Sequence, residues 1–294
     1  MQNLDEAKNI RGKIQLLKEL PPLPVMAQRI LSLSDDGADI AEFGESIEMD
    51  PCLSARIIGL ANAAYFGWPG GVRTVYDAIY KVLGLKLVKN LALGLILGGL
   101  FRSDKCREFS AERYWFTSVA TAIMAQNLLQ CMPHERRCNL DNIYLDGLLH
   151  DLGLPVLVHL FPEEMNQILS GQIDQSNRSL GEKCKDALGI DPCRAGAMLA
   201  RKWHLPEDIA RVIEHRDDPG YRDEYWPITL LVGCCARQAQ ALYIGNEAGE
   251  DPELKDPLGI CEATMEQEKL AAIGKVEEIR EMALMFSRSS FIDG

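Results

Sequence analysis

Little in this sequence is basic, and no uninterrupted apolar run in it is long. Its 294 residues carry 31 Lys and Arg against 43 Asp and Glu, a formal charge of −12. Such a chain is repelled on average by a duplex or an anionic bilayer unless a local basic patch intervenes. The longest basic cluster is the pair Arg136–Arg137, so no nucleic-acid partner is expected. The greasiest stretch, Val82 to Phe101, is interrupted by Lys86, Lys89 and Asn90, which leaves an apolar run of eleven residues from Leu91. A membrane-spanning helix needs about twenty. Glycines at 84, 94, 98 and 99 suit close helix packing better than an anchor, so no membrane association is expected. The opening residues, MQNLDEAKNIRGKIQ, contain acids and no apolar centre, unlike a secretory leader. Nine cysteines follow no framework spacing, which reads as reduced thiols in a cytoplasmic compartment.

Period-two apolar runs, internal repeats and a Gly-rich phosphate cradle are also missing. What remains is helical. Apolar content of 47% with 25% charged residues describes an ordinary globular chain. Met26, Ile30 and Leu33 recur at helical spacing behind Pro24, and Ile40, Phe43 and Ile47 do so behind the Asp39/Glu42 pair. Asp50–Pro51 and Asp191–Pro192 are caps followed by first-turn prolines, and Thr74 with Asp77 is a third start. Further helices are expected over about 1–20, 110–130, 180–188, 227–243 and 265–286, with Asp141 capping the stretch Tyr144–Val158. The fold class is all-α, with many short helices in two packed lobes. The polar run Arg102–Arg107 divides a lobe over 1–107 from one over 108–294, the latter ending in a helical extension.

Several ordered motifs resemble one family. Leu20-Pro21-Pro22-Leu23-Pro24, then Asp50 to Arg56, Leu60-Ala61-Asn62, and Ala78-Ile79 with Leu83-Gly84 resemble the first lobe of the HDOD domain. Trp115 with Ser118, Leu145 to Gly153, and Trp203-His204-Leu205-Pro206 resemble its second, HD-related lobe. The likeness extends over about 18–218 and is more specific than any single short pattern. It implies a bacterial signalling module whose fold descends from metal-dependent HD phosphohydrolases, and which acts through protein contacts without catalysis.

His150–Asp151 is the pair that names the HD site. A catalytic divalent ion takes about three protein ligands and leaves a position open for water. The resemblance places the distal His at 117 and the later Asp near 236, where this chain has Thr117 and Ala236. The Lys that often follows is Leu154 here, and a frequent His-His pair is His215–Arg216. His150, Asp151 and His215 are therefore read as vestigial metal-site residues, with no metal, cofactor or catalytic residue expected. Cys131, His134 and Cys138 have a spacing zinc could use but lack a fourth ligand. Trp68-Pro69-Gly70 is the candidate contact loop for a signalling partner, since aromatics anchor interfaces. The alternatives are a metal-dependent phosphohydrolase acting on a nucleotide or cyclic dinucleotide, and a nucleotide sensor that binds without turnover.

Overall fold

The structure, a computed structural model, describes residues 20–33, 40–137, 142–171, 178–245 and 257–287. The expected N-terminal helix, the caps at Asp39 and Asp141, Cys138 and most of the acidic stretch after Gly245 lie outside the described residues. Among the described residues there is no strand, and the chain is all-α.

Local chemistry sets the helix starts. Helices α1 (Val25–Ser32), α2 (Ile40–Glu48) and α3 (Pro51–Ala61) come first among the described residues. The Asp50 carboxylate accepts from the Cys52 and Leu53 amides, satisfying two of the orphan donors at the start of α3. Thr74 does the same for Asp77 at the start of α4 (Val75–Asp77), which runs into a π-helical segment, Ala78–Leu83. That wide segment ends at Gly84, whose φ of +74° favours glycine, and α5 (Gly84–Gly98) follows.

Helix α6 (Ala111–Leu129) is the axis of what comes next, with α7 (Ile143–Leu149), α13 (Trp226–Tyr243) and α15 (Val276–Ser287) packed on it. Around these, α8 (Gly153–Leu160) crosses α11 (Pro192–Lys202), which in turn packs on α12 (Glu207–His215). Helices α9 (Pro162–Leu169) and α10 (Leu180–Leu188) flank α8 and α11, and α14 (Glu262–Ile273) lies against α6.

Two expected helices are each divided. The stretch Tyr144–Val158 is α7 and α8 joined by a turn, and that turn carries His150 and Asp151. The stretch 265–286 is α14 and α15, broken beside Gly274, a poor helix former. The break lets α15 bury Ile279, Met282 and Phe286 while α14 stays mostly exposed.

The core is contiguous across Arg102–Arg107. Ile57, Leu91, Trp115, Leu148, Ile213 and Phe286 belong to one apolar cluster, and a second lies beneath α6, α13 and α14. The run from Leu91 to Phe101 is largely buried within the first cluster. Ile143–Leu160 has the length and mean hydropathy of a membrane span, but 83% of it is buried inside the protein. The strap Leu20–Pro24 is fastened to the far half of the chain. The Trp203 indole donates to the Pro21 carbonyl at 2.9 Å and the Lys202 ammonium to Leu20 at 3.0 Å.

Candidate functional site

Three glycines let backbones meet around the His150–Asp151 turn. A Cβ on Gly147 would lie 2.5 Å from the Ala122 Cα, so α7 seats directly on α6. A Cβ on Gly153 would lie 1.7 Å from the Pro192 carbonyl oxygen, and one on Gly233 would lie 2.2 Å from that of Arg216. Side chains at these positions would hold α8 off α11 and α13 off the end of α12.

His150 is buried, and its Nδ1 donates to the Gly147 carbonyl at 2.7 Å. That bond fixes the tautomer and leaves Nε2 as an acceptor. Burial, and next the nearby Arg216 charge, drive its pKa down to about 3, so the ring is neutral. Burial pushes the Asp151 carboxyl above its ordinary value, while the Arg216 guanidinium pulls it back. Arg216 stands just beyond α12 with its side chain only 9% exposed. It donates to Asp151 Oδ1 at 2.6 Å and to the His150 carbonyl, and its Nε lies 3.7 Å from Asp217. Burial disfavours its charge, but Asp151, Cys193 and Asp217 more than offset that, and its pKa is raised. The pair is an ionised guanidinium on a carboxylate.

These residues do not fit a divalent ion. Asp151, the carboxylate such an ion would need, is held by a fixed organic cation. Thr117, in place of the distal His, donates its hydroxyl to the Arg113 carbonyl of its own helix at 2.8 Å. Ala236 is buried in α13 and offers no donor atom. No cluster of three His, Cys, Asp or Glu able to hold a metal occurs among the described residues.

His215 turns elsewhere, stacking on the Tyr221 ring at 4.1 Å with Nε2 3.6 Å from Glu214. The Trp68–Gly70 loop follows α3 and a short 3₁₀ turn, Ala64–Phe66. It is bracketed by Gly67 and Gly71, both at positive φ, and leaves Trp68 42% exposed. Cys131 is exposed, its thiol 3.9 Å from the Asn127 carbonyl.

Two residues carry more of the site than sequence reasoning gave them. Arg216 reads from the sequence as a lost His, and its position directly after His215 was the available signal. Asp146 carried none. It is wholly buried on α7, both oxygens lack a partner among the described residues, and burial, then Asp208, push its pKa well up.

A cavity of about 390 Å³ opens over the His-Asp turn. His150, Asp151, Thr117 and Leu154 line it, with Phe109 just before α6, Arg113 and Tyr114 from its first turn, and Leu180 and Lys183 from α10.

This helical architecture around a His-Asp turn defines an HD-like module. The HDOD domain model matches residues 20–219, and the chain belongs to the HDOD family. Among solved structures it is similar to a provisionally named signal transduction protein from Marinobacter aquaeolei VT8, at 26% identity and a TM-score of 0.79. That match covers 96% of this chain and 66% of the other. An HDOD domain protein from Geobacter sulfurreducens aligns at 22% identity and a TM-score of 0.73, over 95% and 97% of the two chains. A provisionally named phosphohydrolase from Shewanella amazonensis SB2B aligns at 21% and 0.68, over 95% and 98%. An uncharacterized protein of Treponema pallidum (strain Nichols) is 25% identical over 77% of this chain, which spans 42% of that relative's length.

Proposed function

We propose that the chain is a non-catalytic signal-transduction module of the HDOD type that works through protein contacts. The observation that carries this reading is Arg216. Its guanidinium occupies the Asp151 carboxylate and the His150 carbonyl, so the charge a metal would supply is already provided by the chain. A guanidinium has no open coordination position and activates no water, unlike the divalent ion of a hydrolase. The likeness to the Marinobacter signal transduction protein supports the signalling role. The likeness to the Shewanella phosphohydrolase, at 21% identity, reflects the shared fold. The exposed Trp68, with Pro69 and Gly70, is the contact loop we assign to the partner, and Tyr76 and Tyr80 add a second exposed aromatic pair, 4.4 Å apart.

The test is elemental analysis of purified protein together with a hydrolysis assay on a phosphodiester and a nucleoside triphosphate. Substoichiometric iron, manganese and zinc with no turnover is the expected result. Stoichiometric metal, with turnover lost in His150→Ala, would overturn the reading.

A further inference from the structure

We infer that the corner formed by Lys202 and Trp203 is a recognition site for a polyproline-II segment. The chain's own Leu20–Pro24 strap occupies it, and a proline-rich segment of a protein partner enters by displacing that strap. The inference deepens the protein-contact reading and rests on it, through residues other than the Trp68 loop.

The strap's conformation follows from its sequence. Leu20-Pro21-Pro22-Leu23-Pro24 has proline at three of its five positions, and Leu20, Pro21 and Leu23 each precede one. Proline fixes its own φ and pushes the residue before it to extended backbone, so all five positions favour polyproline II. Pro24, at φ −58° and ψ 145°, has that geometry. Only Leu20 and Leu23 carry an N–H, so the strap is a row of acceptors that cannot pair as an inner strand.

The far half of the chain meets that row with donors. Lys202 Nζ donates to the Leu20 carbonyl at 3.0 Å and Trp203 Nε1 to the Pro21 carbonyl at 2.9 Å. Buried Leu20 belongs to the same apolar cluster as Trp203 and Phe101, whose rings lie 6.2 Å apart at 28°. Pro22 is exposed. Donors on successive carbonyls beside aromatic rings are how aromatic-lined grooves hold proline-rich peptides. The corner is also set in advance. Helix α11 ends in a Schellman motif, with the Leu205 amide on the Ala200 carbonyl at 3.0 Å and the His204 amide on Arg201 at 3.1 Å. His204 takes the left-handed position at φ +54°, uncommon for any residue but glycine, and so fixes the last turn that carries both donors. Tethering decides how such a site reads in solution. An attached strap competes at an effective concentration of about millimolar or more, so free peptide of the same sequence enters weakly until the strap is loosened.

The probe is a labelled synthetic peptide of residues 20–24, capped at both ends and followed by fluorescence anisotropy against the full chain. Its control carries alanine for all three prolines. Leu20→Asp, which removes the strap's buried anchor, should tighten peptide binding over wild type by about tenfold or more. Pro22→Gly leaves the contacts in place and loosens the strap, and should tighten binding about two- to fivefold. The alanine peptide, which lacks the preset conformation, should bind about tenfold more weakly. Added to Leu20→Asp, Trp203→Phe should weaken the peptide about fivefold or more. Should Leu20→Asp fail to fold, Pro22→Gly decides, with amide exchange in α1 as a second readout that saturating peptide should speed. No binding to a folded strap variant below about 1 mM would overturn the inference. Equal binding of the alanine peptide, or binding indifferent to Trp203→Phe, would overturn the assignment of the corner. Strap variants that form dimers in light scattering, dispersed by the peptide, would replace the partner with a second copy and so overturn the choice of occupant. None of these outcomes touches metal content or turnover, so the non-catalytic reading stands or falls separately.

Discussion

At the scale of single residues, the site is decided by which charges are compensated and which are not. Arg216 and Asp151 are paired and mostly buried, with side chains 9% and 18% exposed. Removing one partner of such a pair strands the other, at a cost of about 3 kcal/mol or more. Arg216→Ala should therefore lower the unfolding free energy by about that amount in urea titration, and a loss below about 1 kcal/mol, typical of a surface pair, would contradict the assigned geometry. Asp146 is the opposite case. It has no partner among the described residues, and burial, then Asp208, hold its pKa well above the ordinary carboxyl value. A carboxyl whose folded pKa is raised has its stabilising effect in full below the unfolded value of about 3.9 and loses it as pH rises toward the folded value. Asp146→Asn should accordingly shift the denaturation midpoint upward at neutral pH, with the gain vanishing as pH approaches about 4. A gain that does not vary with pH would show that the carboxyl is not the cause.

Among the elements, contacts without side chains matter most. Helices α8 and α11 approach so closely at Gly153 that its Cβ would overlap the Pro192 carbonyl, and Gly196 faces the same crossing, its own Cβ 2.7 Å from the Gly153 nitrogen. Gly153→Ala should destabilise by about 2 kcal/mol or more, because the opposing atoms of Pro192 and Gly196 are backbone and cannot rotate away. The check is a thermal melt, with far-ultraviolet dichroism reporting retained helicity. An unchanged melting temperature would mean the crossing is looser than described. Gly98 works similarly within α5, where a Cβ would lie 2.0 Å from the Trp115 ring. Helix starts were legible before any coordinates. Asp50, Thr74, Ser179 and Asp191 each cap a helix through a side-chain oxygen, and three of the four were readable from cap-plus-proline or cap-plus-acid spacing. Interruptions were not. Nothing in the apolar periodicity of Tyr144–Val158 marks the turn at His150, because both flanking helices bury nearly every residue.

For the whole molecule, the halves on either side of Arg102–Arg107 share a core and a clasp. Phe286 of α15 stacks on Trp115 of α6 at 4.7 Å, and the same helix packs on α3, so the end of the described chain joins elements from both halves. The Trp203–Pro21 bond ties the opening strap to the end of α11. Trp203→Phe removes the indole donor and part of a buried side chain, so it should cost about 2 kcal/mol or more and speed amide hydrogen exchange in α1. Exchange unaltered there would show that the strap is held by Lys202 and packing alone.

The sequence by itself determined the class and the family. Helical periodicity and capping are local, and Thr117 and Ala236 are identities that no packing can change. Tertiary structure alone decided what pairs with Asp151. Arg216 lies 65 residues from Asp151, and only the seating of α7 on α6, of α8 on α11 and of Gly233 against the Arg216 backbone brings its guanidinium onto that carboxylate. The same assembly leaves His150 Nε2 facing a cavity, a fact about long-range packing to which spacing along the chain is blind.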